Sequence, residues 1–266
     1  METALPAITP AELAQDIALG RFPVLIDVRR EVRYAEAGDA IRGACRRDPE
    51  KLAEWHGAIP AGSRIVVYCV HGHEVSQNAT QALRNHGRDA IYLAGGIEAW
   101  REAGLPLGKK PPARPSQWIT RARPKIDRIA CPWLVRRFID PDAVIHYVPA
   151  ESVRAEGQRL GAEPFDIPDT AYSHVGDLCS FDVFIARHGL GGDPALARLA
   201  LIVRGADTDR LDLAPQSAGL LALSLGLSAM LPDDDEMLAA AMPIYDALYA
   251  WCASASSERH AWQPGA

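Results

Sequence analysis

Hydrophobic and polar positions along the chain fall into two regimes. Up to about residue 104, short apolar runs alternate with stretches of helical spacing. Beyond about residue 127, helical spacing dominates. In the first regime, Thr9-Pro10-Ala11-Glu12 forms a capping box, with Thr at the cap, Pro at the first helical position and Glu reaching back. Gly20 ends that helix. Residues 22–28 predict a buried strand that ends in Asp27-Val28-Arg29, and residues 64–70 a second strand rich in β-branched side chains. A helix is expected from about 75 to 86, stopped by Gly87, and a short strand over 90–93. Gly95-Gly96 then makes a turn, and a helix over 97–103 is closed by Gly104. Such alternation predicts a parallel α/β sheet flanked by helices.

In the second regime, residues 127–139 have helical spacing, with Pro132 either kinking the helix or marking its first turn. Residues 143–148 predict a strand, and 193–204, 216–228 and 233–251 predict helices. This half is expected to be mainly α with a small β component. Between the two regimes lies Leu107-Gly108-Lys109-Lys110-Pro111-Pro112-Ala113-Arg114-Pro115-Ser116, rich in proline and basic residues and without periodicity. It reads as a semi-rigid linker. The expected organisation is a first domain over 1–107, a linker over 108–116 and a second domain over 117–266. A chain of 266 residues accommodates two ordinary domains.

Composition narrows the function classes. The net charge of −6 leaves no polybasic footprint, so a nucleic-acid partner is not expected. The longest apolar stretch, 218–231, is interrupted by Gly219, Ser224, Gly226 and Ser228 and is too short and broken to span a bilayer. The first residues carry neither a basic flank nor an apolar signal core. Five scattered cysteines make no disulfide framework, which favours reduced thiols and a cytoplasmic setting. The oligomeric state is left open.

The segment richest in chemistry is Val66-Val67-Tyr68-Cys69-Val70-His71-Gly72-His73-Glu74-Val75-Ser76. A strand ends at Cys69 and a helix starts about six residues later, so the loop between them must curl. Gly72 permits the positive φ that such a curl requires. Amides of the loop and of the helix N-terminus then converge near Sγ and form an anion pocket. A thiolate is favoured there, which makes Cys69 a nucleophile, and the same amides would hold the outer sulfur of a persulfide. The competing reading is a buried structural cysteine at a strand end; the grammar of the loop favours the nucleophile.

This segment resembles the active loop of rhodanese (sulfurtransferase) domains, six residues that begin with Cys and carry Gly fourth. Ile26-Asp27-Val28-Arg29, Ala40-Ile41-Arg42-Gly43-Ala44, Leu93-Ala94-Gly95-Gly96-Ile97-Glu98-Ala99-Trp100 and Ala103-Gly104-Leu105-Pro106 resemble further marks of that family, in order. The resemblance implies a five-stranded parallel sheet and a ping-pong reaction. In that reaction Cys69 carries sulfane sulfur from a small-molecule donor to a thiol acceptor, without a cofactor. Substrate contacts would come from Arg29, Val70, His71, Gly72, His73, Glu74 and Val75. Thiosulfate-using relatives often place basic residues in this loop. Here only His71 and His73 stand there, and Glu74 adds a like charge against a dianion, so a thiol persulfide is the better-suited donor. Phosphatase relatives close a longer loop with an arginine, where this chain has Val75 and Ser76, so phosphatase activity is not expected.

In the second half stand Arg123-Pro124-Lys125-Ile126-Asp127-Arg128-Ile129-Ala130-Cys131-Pro132-Trp133-Leu134-Val135-Arg136-Arg137-Phe138-Ile139-Asp140-Pro141, Phe165-Asp166-Ile167-Pro168, Ser173-His174-Val175-Gly176-Asp177-Leu178-Cys179-Ser180-Phe181-Asp182, Ile202-Val203-Arg204-Gly205-Ala206-Asp207-Thr208 and Ala214-Pro215-Gln216-Ser217-Ala218-Gly219-Leu220. These five phrases resemble the C-terminal domain of ChrB-type chromate-resistance proteins. The resemblance implies a role in metal or oxyanion stress, with chromate as a candidate ligand. The rhodanese-like half stands where ChrB regulators carry a different region, which argues against a DNA-regulatory role. From the residues themselves, His174, Asp177 and Cys179 form a candidate cluster for a divalent transition metal such as zinc or iron, with Asp127 and Asp207 able to join from neighbouring helices. Two plainer readings stand beside it: Asp177 or Ser180 capping a helix near Phe181, and Cys131 and Cys179 as core residues. Arg136 and Arg137 are expected to be solvated helix residues. Cys131 or Cys179 is a further candidate acceptor for sulfur from Cys69.

Overall fold

The computed structural model describes residues 5–258. The first domain begins with strand β1 (Ala7–Ile8) and helix α1 (Pro10–Ala18), whose Thr9/Glu12 capping box forms as expected. There follow β2 (Val24–Asp27), α2 (Glu31–Glu36), β3 (Asp39–Ile41), β4 (Ala44–Arg46), α3 (Leu52–Trp55), β5 (Arg64–Tyr68), α4 (Glu74–Asn85), β6 (Asp89–Leu93), α5 (Gly96–Glu102) and β7 (Leu107–Lys109). Five strands make one sheet in the order β1-β6-β5-β2-β4, and every pairing is parallel. The two-residue period of the strands sorts their side chains to two faces. Leu25, Val66, Tyr68 and Leu93 pack with Leu13 of α1 and with Ile97 and Trp100 of α5. Ile26, Val67 and Cys69 pack on the opposite face with Trp55 of α3 and with Ala79 and Leu83 of α4. Cys69 therefore lies on the α4 side of the sheet, at the end of a central strand.

The expected linker begins later than its composition suggests. Gly108 and Lys109 belong to β7, which pairs antiparallel with β3 and ties the chain back to the first domain. Neither short strand has the length or alternation that would have marked it in advance.

The second domain runs β8 (Gln117–Arg121), α6 (Asp127–Phe138), β9 (Val144–Val148), α7 (Val153–Leu160), β10 (Glu163–Pro164), α8 (Ser180–Arg187), α9 (Pro194–Asp207), α10 (Ser217–Met230) and α11 (Asp234–Ala250). It is mainly helical with a small parallel sheet in the order β10-β8-β9. Pro132 sits in the interior of α6, where its missing N–H frees the carbonyl of Arg128. The Tyr147 hydroxyl of β9 donates to that carbonyl at 2.9 Å, so the helix continues through the proline.

The two domains are docked through backbone and side chains. A Cβ on Gly20 would lie 2.5 Å from the carbonyl oxygen of Asp246, and one on Gly43 would lie 2.2 Å from that of Arg137. Arg47 makes a two-pronged bond to Asp142 at 2.7 and 2.8 Å. Phe22, just before β2, enters an aromatic cluster with Trp133, Phe138 and Tyr249 of the second domain. Arg137 is not the solvated residue expected from the sequence. It binds Asp246 at 2.6 and 2.9 Å and lies over the Phe22 ring. Arg136, also expected to be solvated, reaches the Ala143 carbonyl at 3.4 Å.

Candidate functional site

Cys69 directly follows the last residue of β5 and is 6% exposed. The loop after it is braced from its outer side. Amides of Ile97 and Glu98, in the first turn of α5, donate to the carbonyls of Cys69 and Val70 at 3.0 and 3.1 Å. The Gln77 side chain donates to the Gly72 carbonyl at 3.0 Å. In a trans peptide the N–H points opposite to the C=O. Turning the Cys69 and Val70 carbonyls toward α5 therefore aims the Val70 and His71 amides the opposite way, toward the α4 face where Sγ lies, while the Gly72 carbonyl is held from α4 through Gln77. Among the described residues, no acceptor takes the amides of residues 70–75.

Two glycines permit this arrangement. Gly72 has φ +69°, and a Cβ there would lie 2.6 Å from both the Gly95 nitrogen and the Leu93 oxygen. Gly96, at φ +61°, would bring a Cβ to 2.5 Å from the Cys69 and Val70 oxygens. On the inner side, Sγ is 3.2 Å from the Ser76 hydroxyl, which donates to the His73 carbonyl at 3.1 Å. His71, His73 and Glu74 are exposed at the rim, and Val75 is half-buried.

A cleft of about 740 Å³ opens beside the loop, lined by Val70 and His71 together with Arg29, Arg33, Asp39 and Arg101. This size suits a small molecule. Arg29, expected as a substrate contact, is instead 2% exposed, and its guanidinium is committed to other groups. It binds both oxygens of Asp27 at 2.6–3.0 Å and donates to the Asp39 carbonyl at 2.9 Å. Arg29 therefore anchors the end of β2.

The remaining cysteines are structural in their surroundings. Burial pushes the Cys45 thiol up to about 12, and its Sγ donates to the Leu25 carbonyl at 3.3 Å. Cys131 and Cys179 are 0% exposed, and burial raises both thiols well above their ordinary range. Neither presents a surface on which an incoming persulfide could land, which removes the expectation that one of them accepts sulfur from Cys69.

A second constellation lies in the second domain. Asp127 opens α6, Asp207 closes α9, Asp166 follows β10 and His174 stands on the loop before α8. His174 Nε2 is 3.1 Å from Asp207 Oδ2, 3.4 Å from Asp166 Oδ1 and 3.6 Å from Asp127 Oδ2. Asp127 is 0% exposed. Its Oδ2 accepts the amides of Ser180 and Phe181, while its Oδ1 is buried with no partner. Burial, then the charges of Asp207 and Asp166, push the Asp127 carboxyl well above its usual range. Burial and Asp166 raise Asp207. Asp166 falls below its usual range because bonds from His174 and Arg121 outweigh its burial. The hydrogen bond with Asp166 is the main cause that lifts His174 to about 9. The backbone around the site is strained, since β-branched Ile126 has φ 38° and Asp166 has φ 52°.

The structure thus gathers His174, Asp127 and Asp207 from the expected cluster and leaves two members out. Asp177 is exposed on the loop. Cys179 is the N-cap of α8, with Sγ and amide both on Asp182, so the cap is the cysteine rather than Asp177 or Ser180. Asp166 was missed. It is distant in sequence from the other acids and follows a two-residue strand, so no spacing rule connects it to them.

Comparisons with known proteins agree with this two-part architecture. The profile of the ChrB C-terminal domain matches residues 118–252, and that of the rhodanese-like domain matches residues 9–103. The chain is similar to Protein ChrB of Cupriavidus metallidurans, 38% identical over 134 residues, which is 50% of this chain and 40% of that protein. It is also similar to the thiosulfate sulfurtransferase GlpE of Actinobacillus succinogenes, 32% identical over 105 residues, covering 39% of this chain and 91% of that protein. The chain therefore spans well under two thirds of the ChrB relative's length. Among solved structures, a rhodanese-related protein of Thermoplasma volcanium is 24% identical. It covers 38% of this chain and 96% of its own, at a TM-score of 0.34. With residues 118–252 matched by one profile and residues 9–103 by the other, the chain belongs to the ChrB C-terminal domain family and bears a rhodanese-like domain in front of it.

Proposed function

We propose that the protein is a sulfurtransferase in which Cys69 carries sulfane sulfur. The observation that carries this reading is the braced loop, whose Cys69 and Val70 carbonyls are held by α5 while the amides of residues 70–75 have no acceptor. The thiolate attacks the sulfane sulfur of a donor. With a thiol persulfide, the S–S bond breaks and the donor thiolate leaves with the electron pair; with thiosulfate, sulfite leaves. The negative charge on the outer sulfur of the Cys69 persulfide would be met by the loop amides. An acceptor thiolate then attacks that sulfur and releases Cys69. Ser76, 3.2 Å from Sγ, is placed to orient the thiol between turnovers. Exposed Glu74 at the rim sets a like charge against the compact charge of thiosulfate, which favours a thiol persulfide such as glutathione persulfide. We read the ChrB-family half as the link to chromate or related oxyanion stress, with the protein working among reduced thiols in the cytoplasm. The five cysteines, all free, support that setting.

Sulfur transfer from thiosulfate and from glutathione persulfide, measured on wild type, Cys69→Ala and Cys69→Ser, tests the proposal. Turnover confined to wild type and fastest with the persulfide is the expected result. Equal sulfane sulfur loading in all three proteins would refute it.

A further inference from the structure

We propose that Asp127, His174 and Asp207 form a binding site for one divalent transition-metal ion, of the manganese, iron or zinc class, independent of the Cys69 chemistry. Each residue offers one donor atom, and these atoms all lie within 4.8 Å of one another. Metal–ligand bonds of about 2.1 Å place neighbouring donors about 3.0 Å apart in an octahedron and about 3.4 Å apart in a tetrahedron. The distances from His174 Nε2, 3.1 Å to Asp207 and 3.6 Å to Asp127, lie within a few tenths of an ångström of that spacing.

A purely structural ion network accounts for this arrangement poorly. An imidazolium has a single N–H at Nε2, which serves one acceptor, yet three carboxylate oxygens stand within 3.6 Å of that atom. The convergence of donors from α6, α9 and the loop before α8 on one point is what a bound cation organises. Asp127 supplies the independent observation. It is fully buried, its Oδ1 has no partner, and buried carboxylate oxygens without partners are rare because they are costly. Two carboxylates and a neutral imidazole balance a divalent ion's charge, which relieves the burial of Asp127. Mixed imidazole and carboxylate donors suit manganese, iron and zinc, whereas all-oxygen sets suit calcium and magnesium.

Asp166 has a different part. Arg121 at 2.9 Å, Arg128 at 3.3 Å and the Ser180 hydroxyl at 3.0 Å already occupy its oxygens, so it stands beside the three donors as a neighbouring charge and not as a fourth ligand. His174 is 40% exposed, which gives an ion a path in from solvent.

The full chain, stripped with a chelator and exchanged into metal-free buffer, would be titrated calorimetrically with Mn²⁺ and Zn²⁺. Co²⁺ titration followed by visible absorption reads the donor set directly. Binding of one equivalent is expected. His174→Ala and Asp207→Asn should each weaken it by about 10- to 100-fold or more with unchanged circular dichroism. Asp177→Asn and Cys69→Ala should bind as wild type does. Because His174 is surface-accessible, its variant tests the site without disturbing the core. No stoichiometric uptake of any of the three ions would overturn the proposal. Wild-type affinity in both ligand variants, or loss of binding in Cys69→Ala, would overturn it too.

Discussion

Substituting Gly72 by alanine perturbs the Cys69 loop while leaving Cys69 and every polar group in place. At φ +69° an alanine costs about 1–2 kcal/mol relative to glycine. Its methyl would sit 2.6 Å from the Leu93 oxygen, 2.6 Å from the Gly95 nitrogen and 2.8 Å from the Gly96 nitrogen. All three are backbone atoms, packed between α5 and the sheet, and cannot swing aside as a flexible side chain would. Such overlap adds about 1–3 kcal/mol. The loop conformation would thus lose about 2–5 kcal/mol against alternatives that release the α5 brace. Each 1.4 kcal/mol is a factor of about ten in an equilibrium, so the ratio of braced to released loop should fall at least about 30-fold. Single-turnover persulfide loading of Cys69, followed by mass spectrometry, should slow. Gly62 is the matched control: its φ is +76° but nothing lies within 4 Å of its added Cβ. Gly62→Ala should cost about 1 kcal/mol in thermal unfolding and leave loading unchanged. Wild-type loading in Gly72→Ala, or an equal loss in Gly62→Ala, would refute the claim that the brace creates the sulfur site.

Further expectations concern the scaffold. Brief alkylation of the native protein should label Cys69 alone, with the other four cysteines reacting only after unfolding; prompt labelling of Cys131 or Cys179 would contradict their burial. Removing the Tyr147 hydroxyl in Tyr147→Phe leaves the Arg128 carbonyl opposite Pro132 unpaired, and urea unfolding should show a loss of about 1–2 kcal/mol. A double-mutant cycle on Arg47 and Asp142, a half-buried two-pronged pair, should return a coupling of about 1 kcal/mol, and a coupling near zero would show that the contact does not hold the domains together. Cys45 is held protonated up to about pH 12 in the fold, so stability should fall as the unfolded thiol ionises above about pH 9. In Cys45→Ala the decline between those values should be shallower by chemical denaturation.

The sequence announced the first domain because its devices are local. The Thr9/Glu12 capping box, the run of β5 and the glycine-bearing loop after Cys69 are each contained within a short stretch of chain and obey short-range rules. Long-range pairing was hidden. β3 and β7 are three-residue strands brought together from far apart in the chain, and nothing in Leu107-Gly108-Lys109 tells a strand from a linker. Arg29 illustrates the converse: the rhodanese resemblance implied a substrate contact, but Asp27, two residues away, takes its charge. In the second domain, His174, Asp127 and Asp207 were visible as residue types able to bind metal. The nearness of Asp177 and Cys179 in sequence outweighed their direction in space. One faces solvent and the other caps α8, while Asp166 reaches the site only because the positive φ of its backbone turns the chain after β10.

The seat of Phe22 has a bearing on how the protein is made. The ring leaves the ribosome early, but three of the partners that enclose it, Trp133, Phe138 and Tyr249, are added later, the last of them near the end of α11. At about 5–20 residues per second, the nascent first domain would wait on the order of ten to fifty seconds with this aromatic uncovered. Ile17, which packs on the same core, waits with it. The first domain can complete its sheet in that interval, yet its outer wall is closed only by the last long helix of its neighbour. A factor that shields nascent apolar surface would find its target at the end of α1, and the need for it would lapse once α11 had been made.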